Sequence, residues 1–305
     1  MTEKQIPVIL HTDIGGDIDD TWALAMMLRQ NHLKPLYVLT DTGDAKYRAA
    51  ICAKMLERAG RTEIEVGIGH TTDLDKHPRR QEEWVKDYDI FSYKGKVHED
   101  GVKRLIDIIM ASDQIVTLVS IGPCPALADA LKREPAIAAK TRFVGMFGSI
   151  YKSHGNSPKP IAEYNVATDI KACQAVFRAP WVSATITPLD TCGRITLDGE
   201  LYARVWNSGI PLVKDMVANY VAWAKKGGWI KDFDKKSSIL FDTVAIHLAS
   251  STQFLKMEKM PVTVRDDGFT VIDKENGAPF NVAIDWLNLD AYAAFLVNVL
   301  TQEKD

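Results

Sequence analysis

The sequence predicts an α/β fold in which an open, mainly parallel, Rossmann-like sheet with a mixed edge is flanked by helices. Two observations carry that reading. Runs rich in β-branched residues alternate with longer helical patterns through the first two thirds of the chain, and a hairpin pattern appears only near the C-terminus. The first strand is PVILHTD at 7–13, and the helix after it, Asp19 to Arg29, carries TWALAMML with apolar residues on every face, which predicts burial on all sides. Strands follow at 35–40, 63–69, 114–122, 142–149 and 182–188. Two segments break the rhythm: a polar stretch of about thirty residues from His70 to His98, the length of a functional loop, and the turn-rich Tyr151–Pro160 directly after a strand. From Pro211 to Lys226, Leu212, Val213, Met216, Val217, Tyr220 and Trp223 recur at helical spacing, as packing requires. VTVRDDGFTVID then reads as a hairpin turning at Asp267-Gly268, followed by FNVAIDW and a closing helix over Leu289–Leu300. No repeat, linker or shift in composition divides the chain, so one domain over 1–305 is the simplest organisation.

Composition narrows the function. The 305 residues are 46% apolar and 25% charged, which excludes disorder, and a net charge of −3 gives no broad positive field for nucleic acid. No apolar run approaches the roughly 18 residues of a membrane span or the pattern of a signal peptide, so a cytoplasmic protein is expected. Cys52, Cys124, Cys173 and Cys192 are far apart and lack the spacing of a zinc site, which leaves buried free thiols.

The chemistry concentrates after the first strand, where Asp13-Ile14-Gly15-Gly16-Asp17-Ile18-Asp19-Asp20 crowds four carboxylates into eight residues. Ligands bind at that edge of open α/β sheets. Helix capping would use one or two of these acids. Four on a glycine turn repel one another, and a hard divalent cation relieves that repulsion. Neither GxxxxGK[ST] nor GxGxxG occurs here, which removes the usual phosphate and dinucleotide loops. Asp17-Ile18-Asp19-Asp20-Thr21 does spell the DxDxT of haloacid-dehalogenase-type phosphatases, although there the nucleophilic Asp ends the strand and here two glycines intervene.

HTDIGGDIDDTWAL resembles the N-terminal signature of the inosine-uridine-type nucleoside hydrolases in its longer variant, DTDIGGDxDD, apart from His11 and Thr21. Further likenesses fall in family order: HEDGV at 98–102 to HGxDGL, VSIGPCPALADAL at 119–131 to ATGPLTNLALAL, GNSPKPIAEYN at 155–165 to GNxTPxAEFN, and FDTVAIHLA at 241–249 to HDPLAVAYL. The resemblance implies the nucleoside hydrolase fold and a Ca²⁺ held by Asp13, Asp20, Asp242 and the main-chain carbonyl of Ile121. It implies that Asp13 orients and deprotonates the attacking water, and that Asp19, Glu163 and Asn165 hold the ribose hydroxyls with Asn156 nearby. It also implies a small nucleoside or riboside as partner and a homodimer or homotetramer. Read without the family, Glu163 and Asn165 would be ordinary loop polarity.

These residue types suit N-glycoside hydrolysis on general grounds. Breaking the bond builds positive charge on C1′ and O4′, which carboxylates and an attacking hydroxide stabilise. Two positions depart from the family pattern. Phe241 stands where a His serves the leaving base, and Asp44 stands where an Asn follows Gly, adding charge at a substrate-binding position. Leaving-group help then falls to His70, His77 or His154 in the two long loops, each of which could equally be a solvated loop residue. His247 lies on an apolar helix and reads as core, while Trp84, Trp229 and Phe241 offer faces for stacking a base. An alternative from another class is a metal-dependent ribose-binding protein that turns over little.

Overall fold

The computed structural model describes residues 5–73, 76–227 and 230–302. Ten strands form one sheet: β1 (Ile6–Thr12), β2 (Leu33–Thr40), β3 (Glu65–Ile68), β4 (Val97–His98), β5 (Val116–Ser120), β6 (Thr141–Met146), β7 (Ser183–Thr187), β8 (Leu255–Val264), β9 (Thr270–Ile272) and β10 (Ala278–Trp286). Their order is β4-β3-β2-β1-β5-β6-β7-β10-β8-β9. Pairings from β4 to β10 are parallel, and β8 and β9 close the sheet in antiparallel fashion, which is the mixed edge the C-terminal hairpin predicts.

Side-chain alternation along β1 builds two cores. Val8 and Leu10 face one apolar cluster with Trp22, Ile51 and Tyr220, while Ile9 faces the other with Leu105, Leu127 and Phe177. The helix Asp19–Arg29 is buried along almost its whole length, as its all-round apolar character requires. The helix Pro211–Gly227 packs Leu212, Val213, Met216, Tyr220 and Trp223 inward. All four cysteines are buried free thiols, and His247 is buried among Phe254, Tyr292 and Phe295. Among the described residues no helix is long and apolar enough to cross a membrane.

The stretch from His70 to His98 is more ordered than a simple loop. It contains a short helix at Glu82–Val85, a 3₁₀ turn at Ile90–Ser92 and β4, because Val85, Ile90 and Tyr93 are buried against the main core. Trp84 lies there under the Lys54 ammonium, and Trp229 lies outside the described residues. The topology places the site. From β1 the chain winds outward to β4 and then returns on the other side to β5, so the carboxyl ends of β1 and β5 part at a switch point.

Candidate active site

A cavity of about 370 Å³ opens at that switch point, a volume suited to a small molecule. Its floor is the turn between β1 and the helix that starts at Asp19. Gly15 sits at φ +107 there, and a Cβ on it would lie 2.6 Å from the Tyr47 ring. Gly122, after β5, lets that loop approach β1: a Cβ would lie 2.7 Å from both the amide nitrogen and Oδ1 of Asp13.

The acids of this turn do not cap the helix. Its N-cap is Ile18, which makes no side-chain cap bond, and Asp19 and Asp20 instead line the cavity. Asp242 likewise occupies an N-cap position, before the helix Thr243–Leu248, without capping it. Carboxylate oxygens of Asp19, Asp20 and Asp242 all lie within 4.8 Å of one another, and all three residues are buried. Asp13 lines the same cavity at 7% exposure. Burial pushes the carboxyls of Asp13, Asp17, Asp19, Asp20 and Asp242 above the usual carboxylate range, and repulsion from neighbouring carboxylates adds to it for Asp13, Asp19, Asp20 and Asp242. Asp19 and Asp242 stand close enough that ionising both carboxyls is costly. Asp20 accepts from the Thr12 hydroxyl.

On the facing wall, Glu163 caps the helix Tyr164–Thr168 and accepts from the amides of Gly148 (3.0 Å), Asn165 (2.8 Å) and Val166 (3.4 Å). Even so, burial pushes it up to about 7. Asn165 is held by donating Nδ2 to Met146 O at 3.0 Å. Ile121 lines the cavity and donates its amide to His11 O. Phe241 lines it too, with the His154 ring edge-on at 5.6 Å. His77 is 6% exposed and shares a 2.9 Å hydrogen bond between Nδ1 and the Tyr164 hydroxyl. Desolvation holds both His77 and His154 below the usual imidazole range.

Three expected site residues lie off the cavity wall. Asp44 caps the helix Ala45–Arg58 by accepting from Tyr47 N, and it pairs with Arg79 at 3.5 Å, so its carboxylate serves the helix end. Asn156 is exposed at φ +69 on a tight turn. His70 bonds Asp129 at 3.1 Å, with 39% of its side chain exposed. The DxDxT reading also fails on position: β1 ends at Thr12, so Asp17 sits beyond both glycines rather than at a strand end.

Other residues of the site carried no obvious sequence signal. Arg48 lines the cavity although it is only 2% exposed. Its place in line with Cys52 and Met55 on a buried helix face was the available hint. Beneath the floor, His11 Nδ1 meets Ser120 Oγ at 2.9 Å while Nε2 meets Asp41 Oδ2 at 3.0 Å. The three resemble a hydrolytic triad, yet each is 0% exposed and none lines the cavity. They tie β1, β2 and β5 together directly under Asp13 and Ile121.

Residues 8–295 match the family model for the inosine-uridine preferring nucleoside hydrolases. The pyrimidine-specific ribonucleoside hydrolase RihB of Escherichia coli O1:K1 / APEC is 34% identical over 111 residues, 36% of this chain and 34% of that protein. The chain thus spans about a third of that relative's length in the match. Among solved structures, the plant nucleoside hydrolase PpNRh1 superposes with a TM-score of 0.82 at 20% identity, covering 98% of this chain and 99% of that one. The inosine-uridine preferring nucleoside hydrolase from Bacillus anthracis gives 0.76 at 19% identity, covering 97% and 99%. At such identities the superpositions speak for the fold, and the family model speaks for descent: this chain belongs to the inosine-uridine preferring nucleoside hydrolase family.

Proposed function

We propose that this protein is an N-glycosyl hydrolase that cleaves the C1′–N bond of a ribonucleoside or related riboside, and that its cation is Ca²⁺. The observation that carries the reading is the convergence of Asp19, Asp20 and Asp242 beside Asp13 in one cavity, with Glu163 and Asn165 on the facing wall.

The donor set fits a hard cation. It is all oxygen and buried, and it is compact enough that its carboxylates repel one another. Asp13, Asp20, Asp242 and the Ile121 carbonyl would hold the ion. When bound it acidifies the attacking water and grips the ribose diol.

The chain's own residues do the rest. Asp13 takes the proton of the water whose oxygen joins C1′ as the bond to the base breaks. Asp19, Glu163 and Asn165 accept or donate to the ribose hydroxyls and fix the sugar. The carboxylates face the charge that grows on C1′ and O4′. The departing base needs a proton or a stabilised negative charge, which the Phe241 ring cannot give. His77, with its Tyr164 partner, and His154, against Phe241, are the cavity-lining candidates.

A panel of nucleosides assayed for reducing sugar, with and without a chelator, tests this reading. Release of free ribose that stops on chelation and returns with Ca²⁺ is expected. Tight riboside binding without ribose release would favour the binding-protein alternative, which Phe241 keeps open.

A further inference from the structure

Arg48 is buried at the cavity, at 2% exposure. Its helix, Ala45–Arg58, follows β2, and the side chain reaches back under the floor. Nε donates to Thr42 O at 2.9 Å and Nη1 donates to Ile14 O at 2.8 Å, so the guanidinium is fixed by backbone from the loops after β2 and β1. Thr42 holds φ +60, a conformation β-branched residues rarely adopt, and it presents its carbonyl to Arg48 from there. Nη2 lies 3.8 Å from Asp13 Oδ2, which is ion-pair range and too long for a direct hydrogen bond. Asp13 therefore keeps its lone pairs for the cavity while a permanent charge fixes its carboxylate.

We propose that Arg48 is the positioning residue for Asp13: it pins the carboxylate at the cavity floor and competes with the site's cation for it. The inference rests on the proposed role of Asp13 as the group that takes the water's proton. Two like charges near one buried carboxylate repel, so losing Arg48 should strengthen cation binding while it impairs turnover. A merely structural arginine would weaken both.

The test uses metal-free wild type, Arg48→Met, Arg48→Lys, Asp13→Asn and the double variant Arg48→Met/Asp13→Asn. Ca²⁺ is titrated by calorimetry, and initial rates are read on a nitrophenyl riboside. Arg48→Met should bind Ca²⁺ at least about threefold more tightly than wild type, with no such gain in the Asp13→Asn background. Its kcat should fall roughly 10- to 100-fold with KM little changed, and the double variant should be no slower than Asp13→Asn alone. Weaker or unchanged Ca²⁺ binding in folded Arg48→Met, or equal losses in both backgrounds, overturns the proposal. Arg48→Lys keeps the charge and loses the fork, so it should bind Ca²⁺ like wild type with lowered kcat. If Arg48→Met does not fold, wild-type turnover in Arg48→Lys is the overturning result. A wild type that hydrolyses no riboside contradicts the hydrolase reading, and the Ca²⁺ titrations then decide Arg48 by themselves.

Discussion

A carboxyl group that loses its water on burial keeps its proton longer, and Glu163 does so despite three amide donors. Its ordinary value is 4.5 and burial raises it to about 7. Between those values the folded protein holds a proton that the unfolded chain has released, so the Glu163 contribution to stability is greatest at acid pH and is lost as pH rises through that window. At about 1.36 kcal/mol per unit, metal-free wild type should lose up to about 3 kcal/mol relative to Glu163→Gln between pH 4.5 and 7. Denaturant unfolding of the pair at both pH values reads the slope, and a pH-independent difference would show Glu163 ionised throughout. Asp13→Asn keeps an oxygen but loses the basicity, so kcat should fall by about 10² or more while ribose affinity changes little. Steady-state kinetics beside ribose titration checks it, and near-normal turnover would remove Asp13 from the chemistry. Phe241 sets a third expectation. If leaving-group help comes from the cavity-lining histidines His77 and His154, a nitrophenyl riboside should outrun inosine, and inosine cleavage in His77→Ala or His154→Ala should drop by about 10² more than nitrophenyl riboside cleavage. Silence in both variants would leave desolvation or stacking as the leaving-group aid. At this scale the sequence was legible where a motif fixes position, as for Asp19, Asp20 and Asp242. One acid can serve two ends: Asp44 reads as a substrate-binding position and caps a helix, whereas the acids after β1 could cap and do not.

Elements hold the site through their ends. Gln81, at 0% exposure, accepts the hydroxyl of Thr21 at 3.1 Å and the amide of Asn219 at 2.7 Å through Oε1. It donates Nε2 to Asp17 O at 2.8 Å and its own amide to Tyr47 OH at 2.8 Å. One side chain thus fastens the 76–81 segment to the acidic turn and to the helices Asp19–Arg29 and Pro211–Gly227. Gln81→Leu leaves Thr21 and Asn219 without their buried acceptor and should cost about 2–4 kcal/mol in denaturant unfolding. A change under 0.5 kcal/mol would mean that the segment is held elsewhere. Strands and long helices were readable because a continuous β-branched, apolar run marks β1 and an all-round apolar pattern marks Asp19–Arg29. The content of 70–98 was not, since a four-residue helix and a two-residue strand carry no period and are stabilised by distant packing of Val85, Ile90 and Tyr93.

For the molecule as a whole, the fold gathers more negative charge at one switch point than burial tolerates, and a divalent cation would relieve it. Anything that binds the folded state alone raises its stability by mass action, about 2.7 kcal/mol at a hundredfold excess over Kd. The measurement that tests this most directly is calorimetric melting at pH 7.5 of metal-free wild type and Asp242→Asn, each with and without saturating Ca²⁺. If a bound cation relieves that charge, wild type should rise by roughly 5 °C and Asp242→Asn by little or nothing. Wild type melting at the same temperature with and without Ca²⁺, or an equal rise in both proteins, would contradict it.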